Sequence, residues 1–388
     1  KIMNKPWFNK PTKLDAGSHI AIIGGGISGV TLFLHLRKAG FKTTLIEKAP
    51  LLLPGASGNP VAILDPFLSI SDTIEKSFYL TAYHYALKFY GELGSNIFQN
   101  CDLIKTAHSE EQMSRFKKLM SAYEDGFLTL SSEGLVCAPS GYVIPSKLRL
   151  MFEENKTILT RTSITNIKPL ADKRWSLFDK NDQPILKADA VIISNSYLAS
   201  EFEYANHFEL DRVAGQISLL SPQYYGNEIL CSEGYVTPTI TTEWGDANIC
   251  GATFDKDGGF DLTEAAHMEN LSKSPVEFNK NSIIAGRRGI RAMTPDHLPL
   301  SGPAPNKMKY QKEYNGLHHG PRHKSFPEAS YHHNLFINIG LGARGFLSAP
   351  ILAKHLTALI IGKKSPLDEK MSNAIHPGRF IIRALSKR

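Results

Sequence analysis

The sequence predicts an α/β protein, with a discontinuous Rossmann-like dinucleotide-binding domain and an antiparallel-sheet lobe inserted into it. Three observations predict this. The apolar run His19–Ile23 leads into Gly24-Gly25-Gly26-Ile27-Ser28-Gly29 and a helical stretch with Val30, Phe33 and Leu34 on one face. A second strand (335–339), glycine turn (340–345) and apolar helix (346–361) lie near the other end. Between them, residues 215–220, 234–240 and 247–254 read as antiparallel strands. The expected segments are a lead-in (1–17), cofactor domain (18–92, 139–212 and 286–388) and inserted lobe (93–138 and 213–285), with a basic loop at 303–326.

The first unit has a physical logic. Gly24 permits the tight turn off the strand. Gly26 lets a pyrophosphate approach the backbone, and Gly29 lets the helix pack closely. The helix N-terminus, reached through Ser28, offers free N–H groups and a positive dipole end. Glu47 ends the next apolar run, eighteen residues after Gly29, where it would accept hydrogen bonds from a ribose.

Further elements follow in order. Pro6-Trp7-Phe8 is an anchor for the lead-in, and Gly55-Ala56-Ser57-Gly58-Asn59 is a turn-forming loop that a cofactor could lie against. Residues 71–93 predict a helix capped by Ser71 or Asp72, and 110–123 a charged helix. Residues 158–186 alternate like strands, and 189–195 are a buried strand expected to rejoin the first sheet. Residues 261–273 predict a helix, 286–299 a charged loop rich in glycine and proline, and 303–326 a long basic loop. The segment from His376 is a basic tail.

The chain has 388 residues and a formal net charge of +7, which permits a polyanionic partner without requiring one. The longest apolar stretch, 346–361, is interrupted by Lys354 and His355, so no membrane span is predicted. Cys101, Cys137, Cys231 and Cys250 match neither a metal spacing nor a disulfide framework, and no metal site is expected. With no secretory signal in 1–17, the expected compartment is the cytoplasm. The first residue is Lys1, consistent with processing or with the C-terminal part of something longer.

The second glycine turn puts another helix N-terminus near the carboxyl edge of the sheet. A flavin has a use for this, because negative charge develops on its ring when it is reduced. Arg288 and Arg291 are each able to bind a carboxylate through two parallel hydrogen bonds. His297, between Pro295 and Pro299, reads as part of a rigid turn rather than a base. No Ser-His-Asp pattern or metal-ligand cluster supports other chemistry.

These residues resemble the D-amino-acid oxidase and glycine oxidase family of flavoproteins. The marks are the first glycine run, Glu47, GASGN at 55–59, GIR at 289–291 and the second glycine turn. More narrowly, VAGQ (213–216), GYVTP (234–238), RAMTPDHLP (291–299), GARG (342–345), SAP (348–350), Pro377 and Arg379 resemble the oxidoreductase half of bifunctional enzymes that make 5-methylaminomethyl-2-thiouridine in tRNA. The resemblance implies FAD-dependent oxidation of the carboxymethylaminomethyl group of a tRNA wobble uridine, releasing glyoxylate and leaving aminomethyluridine. It implies that Arg291 holds the substrate carboxylate, that Tyr235 lines the same site, and that Gly342, Ala343, Arg344 and Gly345 border the flavin ring, with Phe346 also a cofactor-binding residue. It implies a methyltransferase half, fused or separate. It departs at Ser196, where relatives usually carry glycine. With no cysteine after Cys250, the FAD is expected to be non-covalent. An oxidase of a free amino acid such as glycine or sarcosine, or a non-catalytic tRNA-binding module, are the alternative readings.

Overall fold

The computed structural model describes residues 5–123, 126–256, 258–319 and 325–387. Among these, a six-stranded sheet runs in the order Leu300–Pro305, Tyr331–Ile339, Ala190–Ile193, His19–Ile23, Lys42–Ile46, Ile158–Leu159. All its neighbours are parallel except the edge strand Leu300–Pro305. The expected return of the 189–195 strand is explicit in the register, with Ile22 opposite both Ile192 and Leu45.

Both faces of this sheet are covered, which is why its strands read as continuous apolar runs. Ile20 and Ile22 face the helices Ile27–Lys38, Ile74–Leu93 and Gly345–Ile360. Ala21 and Ile23 point the other way, into a core shared with Trp175 and Leu177 of a three-stranded antiparallel sheet (Asn166–Pro169, Trp175–Phe178, Pro184–Ala188).

A nine-stranded sheet forms the second lobe among the described residues. It unites strands from both inserted segments, because Ile229–Cys231 pairs in parallel with Leu103–Thr106. Its longest ladder joins Asp211–Leu220 to Ile283–Met293, antiparallel.

Several expectations change. The 71–93 helix begins at Ile74, and Thr73 caps it by accepting the Lys76 N–H at 3.2 Å. The segment 286–299 is not one loop. It continues as a strand to Met293, past the expected segment boundary at 285, because it pairs along its whole length. The expected loop 303–326 contains the helix Lys307–Glu313, whose Tyr310 is fully buried, as is Tyr314 just beyond it. These two pack with Trp7 of the lead-in, and the Tyr310 hydroxyl donates to the Trp7 carbonyl at 2.7 Å. Arg322 and Lys324 lie outside the described residues. The tail is also not simply basic surface. Arg379 is buried, bonding Asp296 at 2.7 and 3.0 Å, and Arg383 pairs with the same carboxylate. Burial alone would raise the Asp296 pKa, but the two arginines outweigh it and hold the carboxyl at about 2.

The helix Gly345–Ile360 is almost wholly buried and contains Pro350. Proline lacks the N–H that would bond the Phe346 carbonyl. The Tyr90 hydroxyl donates to that carbonyl instead, at 2.9 Å. Tyr90→Phe strands a buried acceptor. It is expected to lower unfolding free energy by about 1–3 kcal/mol, read as a lower urea midpoint at unchanged m-value.

Candidate active site

Two cavities, of about 480 and about 420 Å³, open at the carboxyl ends of the parallel strands. They share Gly26, Ala56, Ser57, Ser194 and Ser196 in their linings. The first glycine run builds this junction. Gly24 has φ +109°, and a Cβ on Gly29 would sit 1.8 Å from the Gly24 carbonyl oxygen, so neither position accepts a side chain. Gly29 therefore seats the helix, and Gly24 and Gly26 line the cavities.

The side chains around the junction have definite partners. Glu47 lines the smaller cavity, where its carboxylate accepts the Gly25 N–H at 2.7 Å and the Ala49 N–H at 2.8 Å. Ser28 exchanges hydrogen bonds with Asn338, donating to its carbonyl at 2.8 Å and accepting from its side-chain amide at 2.9 Å. This joins the first helix to the last parallel strand. Ser57 Oγ accepts the Ile27 N–H at 3.1 Å. Ser196, at the position where glycine was expected, has φ +61°, in the left-handed region that favours glycine.

The larger cavity has two walls. One comes from the parallel sheet and its turns, and includes Ser28, Ala56, Ser57, Asn59 and the run Gly342, Ala343, Arg344, Gly345, Phe346 at the N-terminus of the last long buried helix. The other comes from the antiparallel lobe and includes Tyr235, Gly251 and Arg291. Gly58 lies outside both linings. It packs on Arg287, whose guanidinium donates to the Gly55 carbonyl at 2.7 Å and to Asn59 Oδ1 at 3.0 Å. That arginine pins the 55–59 loop to the strand Ile283–Met293.

Strand geometry separates the arginines. Arg287, Gly289 and Arg291 share one face, and a Cβ on Gly289 would meet Ala56 at 2.9 Å. Arg288 is on the opposite face, bonding Asp255 at 2.6 Å and the Gly259 carbonyl at 2.8 Å. It holds Asp255 and Gly259 and does not line either cavity. The Arg291 guanidinium lies over Gly215, where an added Cβ would come within 2.1 Å of it. Its one hydrogen bond among the described residues is a long one, 3.4 Å to the Thr253 carbonyl, and no ion pair there includes it. Burial lowers its pKa and the nearby Tyr235 opposes this, while burial raises the Tyr235 hydroxyl pKa. At neutral pH the pair is thus a cation beside an O–H donor, and among the described residues no carboxylate pairs with it. A carboxylate fits that chemistry.

A polar cofactor fits the rest. Asn195 Oδ1, Asn338 Oδ1 and Arg344 Nε are buried without hydrogen-bond partners among the described residues, and all three residues line the cavities. Sequence reasoning missed Gly215, Arg287 and Asn338. Reading 283–293 as a strand would have placed Arg287 beside Arg291 and set Arg288 apart.

Gly215→Ala drives a methyl group into the guanidinium. It is expected to weaken binding of a small carboxylate such as glycolate by about tenfold or more, measured by titration calorimetry. Unchanged affinity would remove Gly215 from this role.

The family described as FAD dependent oxidoreductase (DAO) matches residues 19–359. The chain is 30% identical, over 98% of its length and 62% of the relative's, to a protein of Marinomonas sp. (strain MWYL1) named tRNA 5-methylaminomethyl-2-thiouridine biosynthesis bifunctional protein MnmC. It thus spans about three-fifths of the curated relatives it matches. Among solved structures, glycine oxidase from Geobacillus kaustophilus superposes with a TM-score of 0.66 at 18% identity, covering 90% of this chain and 97% of that one. Iminodiacetate oxidase from Chelativorans sp. BNC1 gives 0.66 at 18%, covering 91% and 98%. Among the described residues no helix is long and apolar enough to cross a membrane. The two-walled cleft and the match along most of the chain have one conclusion: this protein is an FAD-dependent oxidoreductase and belongs to the FAD dependent oxidoreductase (DAO) family.

Proposed function

We propose that the protein oxidises the carboxymethylaminomethyl side chain of a modified uridine at the tRNA wobble position, leaving an aminomethyl group and releasing glyoxylate. The observation that carries this reading is Arg291, a desolvated guanidinium with no carboxylate partner among the described residues, lining a cavity with Tyr235. The similarity to the Marinomonas protein, whose name specifies tRNA 5-methylaminomethyl-2-thiouridine biosynthesis, supports the choice of substrate.

In this reading FAD is held non-covalently by Gly24, Gly26, Glu47, the 55–59 loop and residues 342–346, and supplies a two-electron acceptor. Arg291 binds the substrate carboxylate through two N–H groups and fixes the adjacent CH₂. Tyr235, kept protonated by burial, donates to the same carboxylate. Hydride leaves that CH₂ while the secondary amine loses its proton, giving an imine. Water adds across the C=N bond, and the carbon–nitrogen bond then breaks to give glyoxylate and the primary amine. The N-terminus of the helix Gly345–Ile360 favours negative charge developing at this wall of the cavity.

A macromolecular substrate also needs a phosphate-binding surface. Lys307, Lys309 and Lys312 are exposed on the helix Lys307–Glu313, which Tyr310 and the following Tyr314 anchor to the body. They are proposed phosphate contacts. Arg379, buried on Asp296, is not among them.

The test is incubation of the flavin-loaded protein with tRNA carrying 5-carboxymethylaminomethyluridine. One glyoxylate is expected for each aminomethyluridine formed, with much slower turnover of free glycine and sarcosine, and acid precipitation is expected to release the flavin. An unchanged nucleoside with brisk glycine oxidation would instead establish a small-molecule oxidase.

A further inference from the structure

The larger cavity contains a second charged feature that carboxylate binding and flavin binding leave unused. Lys105, on the strand Leu103–Thr106, places its ammonium 2.6 Å from Asp65 Oδ1. Both residues line the cavity that holds Arg291 and Tyr235. The side chains are only 22% and 33% exposed. Among the described residues, the ammonium has no other hydrogen-bond partner and Asp65 Oδ2 has none. The pair therefore carries spare N–H donors next to a spare acceptor oxygen.

An ion pair left this way is weak evidence for a stabilising role. Desolvation of two charges offsets most of their attraction unless the remaining donors and acceptors are also satisfied. A ligand presenting an acceptor beside a donor would satisfy both. The imide edge of a uracil ring does so, with a carbonyl oxygen next to the ring N3–H. Burial would lower the Lys105 pKa, but its neighbours, the Asp65 carboxylate foremost, outweigh this and raise it, so the ammonium is charged at neutral pH.

We propose that Lys105 and Asp65 read the imide edge of the substrate pyrimidine, Lys105 donating to a ring carbonyl and Asp65 Oδ2 accepting the ring N3–H. This rests on the reading of the substrate as a modified uridine. Arg291 then holds the carboxylate end of the side chain while the ion pair holds the base. The same edge is used in base pairing, so the uridine has to be unpaired when it enters, as a nucleotide displaced from its stack is.

The test uses an unreactive ether analogue, 5-(carboxymethoxymethyl)uridine, and its N3-methyl derivative, titrated calorimetrically into flavin-loaded protein. The wild type is expected to bind the N3-methyl compound about tenfold or more weakly, the scale of a lost hydrogen bond to a charged group. Asp65→Asn is expected to reduce that preference to less than about threefold, while glycolate affinity stays at the wild-type level. The double variant Lys105→Met/Asp65→Leu leaves no unpaired charge, and is expected to fold and to show the same loss of preference. Equal wild-type affinity for the two nucleosides overturns the inference alone. Binding of glycolate but of neither nucleoside overturns it together with the uridine reading.

Discussion

The ladder between Asp211–Leu220 and Ile283–Met293 is the interaction on which the site depends. It sets Gly215 opposite Gly289, and those two glycines clear the space that the site uses. The Arg291 guanidinium lies across one, and the cofactor loop at Ala56 packs on the other. The same strand holds the 55–59 loop through Arg287, and Asp255 and the Gly259 carbonyl through Arg288. One strand thus aligns the two walls of the larger cavity. The Arg291 guanidinium is largely desolvated and has no carboxylate partner among the described residues, which is unfavourable. A bound carboxylate would relieve that cost.

The dinucleotide unit was legible in the sequence because local sterics dictate it. Gly24 is required by its positive φ and Gly29 by the Gly24 carbonyl oxygen five residues earlier, and Glu47 follows the neighbouring strand. The second glycine turn was legible for the same reason, with Gly340 and Gly342 both at positive φ. Long-range pairing was not legible. Residues 286–293 are dense in charge and glycine, features of a loop, yet they form a strand because their glycines admit neighbouring atoms and their arginines bind segments far along the chain. Composition registers charge but not which face of a strand it occupies.

The basic segments show the same limit. Arg379 and Arg383 look like surface charge in a tail of Lys and Arg, yet both bind Asp296, which lies 83 and 87 residues earlier. The helix Lys307–Glu313 was hidden within a stretch read as loop, because its Tyr310 and the Tyr314 that follows it pack with Trp7 from the other end of the chain. Ser196 marks the reverse case. The departure from glycine was visible in sequence, and the backbone keeps the left-handed conformation with serine in place.

A crystal structure of the flavin-loaded protein with a bound carboxylate inhibitor tests the central claim most directly. Both carboxylate oxygens are expected on the Arg291 guanidinium, with the Tyr235 hydroxyl donating to one of them and the flavin ring against residues 342–346. A carboxylate held by Arg344 or Lys105, with Arg291 untouched, would contradict it.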